Sequence, residues 1–150
     1  MSTANIHIWQ KYEITLEAKN TYENPYTDVM VWVDFTGPNF KKRVYGFWDG
    51  GNLFRVRVVA TEPGEWSWHS CSTPPDPGLC GERGRFTAVE WTDKEKAANA
   101  CRRGFLRATS NGHAIQYADG TPCFLIGDTW WAGATFRHRW TEDILSLIHI

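Results

Sequence analysis

Residues 119–131 have the sequence Asp-Gly-Thr-Pro-Cys-Phe-Leu-Ile-Gly-Asp-Thr-Trp-Trp, in which a turn precedes a short apolar run. An apolar run bounded by turn residues predicts a fully buried strand, here residues 123–126. Asp128, Trp130 and Trp131 follow at its C-terminal end. In α/β barrels and open α/β sheets, ligands bind at the C-terminal ends of buried strands. The stretch therefore predicts the opening of a large α/β domain with a binding site at the end of its first strand.

Upstream of this stretch, polarity alternates with a period of two, which is typical of half-buried strands. Turn sequences such as Asp49-Gly-Gly-Asn52 separate the alternating segments, and glycine accepts positive φ there at no steric cost. Short alternating strands at this spacing predict an antiparallel β-sandwich of the immunoglobulin type, so the chain is expected to be mainly β. The predicted strands cover residues 9–18, 29–35, 43–48, 54–58, 66–69 and 84–90.

A change of composition divides the chain into three parts. The predicted sandwich occupies residues 1–90. Residues 91–103 are polar and rich in alanine, and they are predicted to be a linker with at most one helical turn. Residues 104–150 begin with a small hairpin around Asn111-Gly112 and continue into the strand at 123–126. A helix is predicted to begin at Thr141.

Bulk composition excludes several classes of protein. The chain has 150 residues, of which 42% are hydrophobic and 22% charged, so a packed core is expected and disorder is not. A net charge of −1 without a basic block argues against binding to nucleic acid or to an anionic membrane surface. No apolar run reaches the roughly 20 residues of a membrane span, and the N-terminus lacks the features of a signal peptide. The nine tryptophans suggest a β-rich core and a carbohydrate surface, because sugar rings stack on flat aromatic faces.

The four cysteines do not form a metal-binding pattern. They contain no Cys-x-x-Cys pair, so a zinc site is not expected, and no cofactor is predicted. Cys71 and Cys80 flank a loop rich in proline and glycine; they pair in an oxidising compartment or remain two free thiols. Cys123 is expected to be a small apolar residue of the buried strand.

Two groups of segments resemble known protein domains. The first group is Gly-Phe-Trp-Asp-Gly-Gly at 46–51, Phe-Arg-Val-Arg at 54–57 and Glu-Pro-Gly-Glu-Trp at 62–66. It resembles the N-terminal β-sandwich domain of unknown function that precedes some glycoside hydrolase barrels. The second group is Gly-Phe-Leu-Arg at 104–107, Tyr-Ala-Asp-Gly-Thr-Pro at 117–122 and Gly-Asp-Thr-Trp-Trp at 127–131. It resembles the opening of the apiosidase-like (β/α)8 catalytic domain.

The resemblance implies a secreted or periplasmic bacterial enzyme that acts on plant-type or other complex polysaccharide. It also implies that the catalytic carboxylates lie on later strands of the barrel. A (β/α)8 barrel takes about 250 residues, so residues 104–150 are expected to be a truncated first part of one. The last residues, 145–150, depart from what the family would continue with, and a non-native tail is one interpretation.

Asp128, Trp130 and Trp131 are the candidate substrate-binding residues, and no catalytic residue is predicted. The Asp128 carboxylate accepts hydrogen bonds from substrate hydroxyls, or it is a structural group bonded to loop amides. The two indoles form a wall for sugar stacking, or one of them belongs to the core.

Three upstream residues have structural interpretations as well. Trp48 and Asp49 lie at a hairpin tip, where packing is favoured over a sugar platform. Asp119 is expected to hold its own turn.

Two functions follow from these patterns. The first is a fragment of a glycoside hydrolase that acts on polysaccharide or oligosaccharide but itself lacks the catalytic carboxylates. The alternative is a non-catalytic carbohydrate-binding or adhesion module of the β-sandwich type. The sequence does not decide the oligomeric state, the glycan, or whether the mechanism retains or inverts configuration.

Overall fold

The computed structural model describes residues 4–127, and these are mainly β. The strands are β1 (Ala4–His7), β2 (Lys11–Glu17), β3 (Met30–Gly37), β4 (Phe40–Tyr45), β5 (Phe47–Trp48), β6 (Leu53–Val59), β7 (Gly64–Thr73), β8 (Arg83–Val89), β9 (Arg107–Ala108), β10 (Ile115–Gln116) and β11 (Pro122–Cys123). The helices are α1 (Pro25–Asp28), α2 (Asp93–Ala98) and a 3-10 helix (Ala100–Arg103).

The first eight strands form two sheets with one shared core. A five-stranded sheet has the order β1-β8-β7-β3-β4, and a three-stranded sheet has the order β2-β6-β5. The pairs are antiparallel except that β1 runs parallel to β8. The larger sheet is therefore mixed, which corrects the antiparallel prediction. Strand β1 was not predicted, because four residues are too few to display a period of two.

The period of two predicted from the sequence is present in β2, β3 and β6, where alternate apolar side chains face inward. In β3, the side chains of Val31, Val33 and Phe35 are buried, whereas the alternating residues between and beside them are half-buried or exposed, and β2 and β6 follow the same pattern. The strand predicted at 66–69 is longer in the structure, where β7 has ten residues. The prediction stopped early because the second half of β7 buries the small polar residues Ser70 and Ser72 in place of apolar ones. The buried apolar core comprises Ile8, Ile14, Leu16, Ala18, Val31, Val33, Phe35, Phe54, Val56, Val58, Ala60, Trp66, Leu79, Phe86 and Ala88.

Gly46 divides the strand predicted at 43–48 into two. Strand β4 before it pairs with β3 in the larger sheet, and β5 after it pairs with β6 in the smaller one. The Gly46 amide donates a hydrogen bond to the Val31 carbonyl oxygen at 2.9 Å. A Cβ here would lie 2.7 Å from the Arg55 carbonyl oxygen and from a methyl of Val31. The chain can therefore cross between the sheets at this point because residue 46 has no side chain.

A buried carboxylate, Asp76, holds the loop between β7 and β8. Its side chain is 1% exposed and accepts hydrogen bonds from the amides of Lys19, Asn20 and Gly78 at 2.7–3.2 Å, and from the Tyr22 hydroxyl at 2.9 Å. Burial opposes the charged form, but these hydrogen bonds outweigh it and lower the pKa of Asp76 to about 2. The carboxylate thus ties this loop to the chain that follows β2.

Residues 91–103 contain more helix than the single turn predicted. Thr92 and Glu95 form a reciprocal capping box at the start of α2, and the 3-10 helix follows directly. Trp91 anchors the segment to the start of the chain: its ring stacks on His7 at 3.7 Å, and its Nε1 donates to the Ile8 carbonyl oxygen at 2.6 Å. The boundaries at 90 and 103 remain predictions.

A third, small sheet follows, with the order β11-β10-β9 and antiparallel pairing throughout. The predicted hairpin around Asn111-Gly112 is present. The predicted buried strand at 123–126 is wrong: pairing ends at Cys123, and the side chains of Phe124 and Ile126 are 88% and 79% exposed. No described element packs over this run, so its hydrophobicity does not lead to burial here. Residues 4–127 form no closed barrel.

Candidate functional site

The three predicted substrate-binding residues, Asp128, Trp130 and Trp131, lie outside the described residues. The turn that precedes them is described, and Asp119 holds it as expected. Its carboxylate accepts hydrogen bonds from the Thr121 amide and from Arg103 Nη1, each at 2.9 Å. Burial opposes ionisation, but these hydrogen bonds lower the pKa of Asp119.

Trp48 and Asp49 hold the β5–β6 hairpin together. Trp48 Nε1 donates to the Gly51 carbonyl oxygen at 2.9 Å, and the Asp49 carboxylate accepts a hydrogen bond from Arg55. Gly50 and Gly51 have φ of 96° and 55°, as the turn sequence predicted. The polar groups of both side chains are therefore engaged within the hairpin.

Sequence reasoning missed the outer face of the five-stranded sheet, meaning the outward side chains of β3, β4, β7 and β8. The strand registers arrange most of these side chains in three rows across the sheet, and beyond the last row the exposed Glu65 of β7 pairs with Thr87 of β8. Adjacent strands are about 4.8 Å apart, so a row across four strands spans roughly 14 Å. The rows are Tyr45, Trp32 and Cys71; Arg43, Asp34, His69 and Arg83; and Lys41, Thr36, Ser67 and Arg85.

Two aromatic rings form one end of the outer face. Tyr45 is 60% exposed, and its ring centroid lies 6.4 Å from that of the half-buried Trp32. The Arg43 guanidinium lies 4.7 Å from the centre of the Trp32 ring. An exposed tyrosine ring beside a planar guanidinium suits a sugar, which offers both an apolar ring face and a rim of hydroxyls.

The charges of the outer face are mostly positive. Arg43 makes a two-point contact with Asp34, with Nε and Nη2 donating at 2.8 and 3.0 Å. Arg43 thereby lowers the pKa of Asp34, and Asp34 raises that of Arg43. Lys41, Arg83 and Arg85 are exposed, and within residues 4–127 none of them has a carboxylate within ion-pair distance.

Two depressions differ in how their charges are satisfied. The one on the outer face has a volume of about 560 Å³. In its lining Arg43 pairs with Asp34, whereas Lys41 has no carboxylate within ion-pair distance among residues 4–127. A smaller one of about 210 Å³ lies between Trp9 and the segment around α2. Its charged residues include two ion pairs, Lys96–Glu90 at 3.2 Å and Arg103–Asp119 at 2.9 Å. The smaller depression therefore has a structural role, and the outer face is the better candidate for binding a ligand.

The described residues show neither a metal cluster nor a membrane span. No group of three or more His, Cys, Asp or Glu side chains between residues 4 and 127 is placed to bind a metal ion. In the same range, no helix has the length and apolar character needed to cross a bilayer.

Comparison with known proteins supports the fold and part of the resemblance. Residues 5–73 match the model of a domain of unknown function, DUF5060. No curated protein matches the chain. A solved structure from Bacteroides vulgatus ATCC 8482, described as "a putative glycoside hydrolase", superposes with a TM-score of 0.70 at 24% identity. The match covers 87% of this chain and 23% of that protein, and at this identity it establishes a common fold only.

Proposed function

We propose that this chain is the accessory β unit and the barrel opening of a glycoside hydrolase that acts on complex, plant-type polysaccharide. The observation that carries the proposal is the fold likeness, which extends over 87% of this chain but only 23% of the Bacteroides protein. The match of residues 5–73 to a domain of unknown function agrees with an accessory role for the β unit.

The exposed apolar run after β11 supports a larger parent protein. Phe124, Leu125 and Ile126 are 64–88% exposed, and they follow one another along the chain. A contiguous apolar patch of this kind marks a surface that another structure covers. In the proposed parent, later elements of the barrel cover this run.

In that parent, Asp128, Trp130 and Trp131 contact the substrate. Asp128 accepts hydrogen bonds from sugar hydroxyls, and at least one indole stacks against a sugar ring. The chain itself is inactive in this proposal, because glycosidic cleavage needs two carboxyl groups roughly 5–10 Å apart. In a barrel such groups come from the ends of several strands. An assay of reducing-end release tests this, and its outcomes are set out at the end of the Discussion.

A second candidate function is non-catalytic binding of an acidic polysaccharide to the outer face. The three cations Lys41, Arg83 and Arg85, which have no ion-pair partner among residues 4–127, favour this function. The chain as a whole has a net charge of −1, so their clustering on one sheet face is a local feature. The carboxylates of a uronate-rich chain would pair with these cations, and Tyr45 and Trp32 would meet its sugar rings.

Replacing Arg83 and Arg85 together by alanine is expected to weaken binding to polygalacturonate roughly tenfold. Each exposed ion pair contributes up to about 1 kcal/mol, and 1.4 kcal/mol corresponds to a factor of ten. Affinity electrophoresis measures the dissociation constant, which is also expected to rise with salt. The matched control is Lys94→Ala, which removes an exposed cation from α2 instead.

Neutral and sulfated polysaccharides complete the panel. Binding to the sulfated glycan alone would replace carboxylate by sulfate as the recognised group. Equal retardation of the unsubstituted 150-residue chain and the double variant would show that the glycan binds elsewhere than on the outer face. No retardation by any glycan would exclude the second candidate function.

A further inference from the structure

A bulge interrupts the pairing of β7 with the chain before β8. The Ser70 amide donates to the Glu82 carbonyl oxygen at 2.8 Å, and the Gly81 amide donates to the Ser70 carbonyl oxygen at 2.9 Å. Two residues thus face one, and Gly81 has a φ of 95°, which glycine adopts readily. The Ser70 hydroxyl further accepts from the Glu82 amide at 3.1 Å. The register across the bulge is therefore fixed.

This register places Cys71 directly opposite Cys80. Ser70 forms the hydrogen-bonded position, so the next pair along the ladder is a non-hydrogen-bonded one. The two Cα atoms of such a pair are about 4.5 Å apart, within the range of roughly 4.4–6.8 Å that a disulfide spans. In agreement, the Cys80 amide donates to the Asp76 carbonyl oxygen at 2.8 Å rather than to β7.

The environment of the thiols agrees with this placement. Both cysteines are free and half-buried. Burial raises the pKa of the Cys71 thiol, and the neighbouring Cys80 thiol raises it further by its charge and its hydrogen bond. The Cys71 sulfur also lies 3.7 Å from His69 Nδ1.

The loop between the two cysteines is already held in place. The Asp76 carboxylate accepts hydrogen bonds from the amides of Lys19 and Asn20, which follow β2, and from the amide of Gly78 within the loop. The chain between the two cysteines is therefore ordered before the two sulfurs join.

We propose that Cys71 and Cys80 form a disulfide when the chain folds in an oxidising compartment. The two thiols lose two protons and two electrons as the sulfur–sulfur bond forms. A small disulfide such as oxidised glutathione accepts them and is reduced to two thiols. The bond lies on the outer face beside Trp32, the strand neighbour of Cys71, and it braces the loop that carries Asp76. The proposal does not depend on the proposed function.

Peptide mapping after equilibration in a glutathione redox buffer tests the proposal. Trypsin leaves both cysteines in one peptide, residues 58–83, because no Lys or Arg lies between Arg57 and Arg83. The peptide is expected to be two hydrogen atoms lighter than its reduced form and to resist alkylation until it is reduced. Cys101 and Cys123 lie on other tryptic peptides and are expected to be alkylated, so they serve as internal controls.

The stability of the oxidised chain provides a second readout. Closing a ten-residue loop is expected to lower the unfolding equilibrium constant roughly a hundredfold and to raise the melting temperature by about 5–10 °C. Reduction, or the Cys71→Ser variant, is expected to remove this gain, whereas Cys101→Ser is expected to keep it. Full alkylation of Cys71 and Cys80 in the oxidising buffer, or linkage of either one to Cys101 or Cys123, would overturn the proposal.

Discussion

Replacement of Asp76 by alanine is expected to lower the free energy of unfolding by about 3–5 kcal/mol. The substitution leaves the amides of Lys19, Asn20 and Gly78 without their acceptor in a site that is closed to solvent. Each unsatisfied buried donor costs about 1–3 kcal/mol, and some relaxation of the loop reduces the sum. Urea unfolding monitored by tryptophan fluorescence measures the change.

The same carboxylate makes stability depend on acid pH. Its pKa is about 2 in the folded protein against an ordinary value of 3.8, so the folded state binds fewer protons than the unfolded state over this interval. The contribution of Asp76, roughly 2 kcal/mol, is therefore complete above pH 4 and is lost as the pH falls towards 2. Asp76→Asn, which does not ionise, is expected to show a correspondingly flatter acid limb.

A matched control for Asp76 is Asp93→Ala, an exposed carboxylate in the first turn of α2. Its effect is expected to stay within about 0.5 kcal/mol. If Asp76→Ala lowered the free energy of unfolding no more than this control does, the hydrogen bonds to the Asp76 carboxylate would not stabilise the folded chain. If the stability of Asp76→Asn fell as steeply with decreasing pH as that of the unsubstituted chain, the lowered pKa of Asp76 would be contradicted.

Replacement of Trp66 by alanine, as a single substitution, is expected to lower the free energy of unfolding by about 3–5 kcal/mol. Trp66 is fully buried in the shared core. Its ring centroid lies 5.9 Å from that of Phe86 and 4.9 Å from that of Phe40. Its Nε1 also donates to the Glu62 carbonyl oxygen at 3.1 Å. The ring lies over Gly37, where any Cβ would collide with it. The midpoint of urea unfolding is expected to fall while its slope stays constant.

Trp66→Phe separates the ring from the hydrogen bond and should recover about half of the loss. Tyr26→Ala serves as the control, because Tyr26 is 76% exposed on α1 and its truncation should have little effect. A loss below about 1 kcal/mol for Trp66→Ala would mean that the Trp66 ring is not packed in the buried core as described above.

Alternation was sufficient to predict that β2, β3 and β6 each bury one side. In β3 and β6, for example, Val33 and Val56 are completely buried, as the period of two requires. Turn chemistry also predicted the hairpin at Gly50-Gly51. These features are local, because strand period and glycine conformation depend on a few consecutive residues.

Features that depend on distant residues were not predicted. Asp76 gave no signal, because its partners Lys19 and Asn20 lie more than fifty residues away in the sequence. The outer face was not predicted for a related reason. Arg43 and Arg83 lie on one surface only because of the order of the strands in the sheet. Conversely, the apolar run at 123–126 predicted burial, but burial also needs a covering layer, and residues 4–127 do not supply one.

The release of reducing ends from a panel of plant polysaccharides is the measurement that tests the central claim most directly. We expect no turnover by the 150-residue chain and measurable turnover by the longer polypeptide of the proposed parent. In that parent, Asp128→Asn is expected to lower kcat/KM about tenfold to a hundredfold, because a hydrogen bond to a charged group contributes roughly 1.5–3 kcal/mol. Turnover by the 150-residue chain alone would contradict the claim that it is a non-catalytic part of a glycoside hydrolase, and an inactive parent would contradict the assignment to that class.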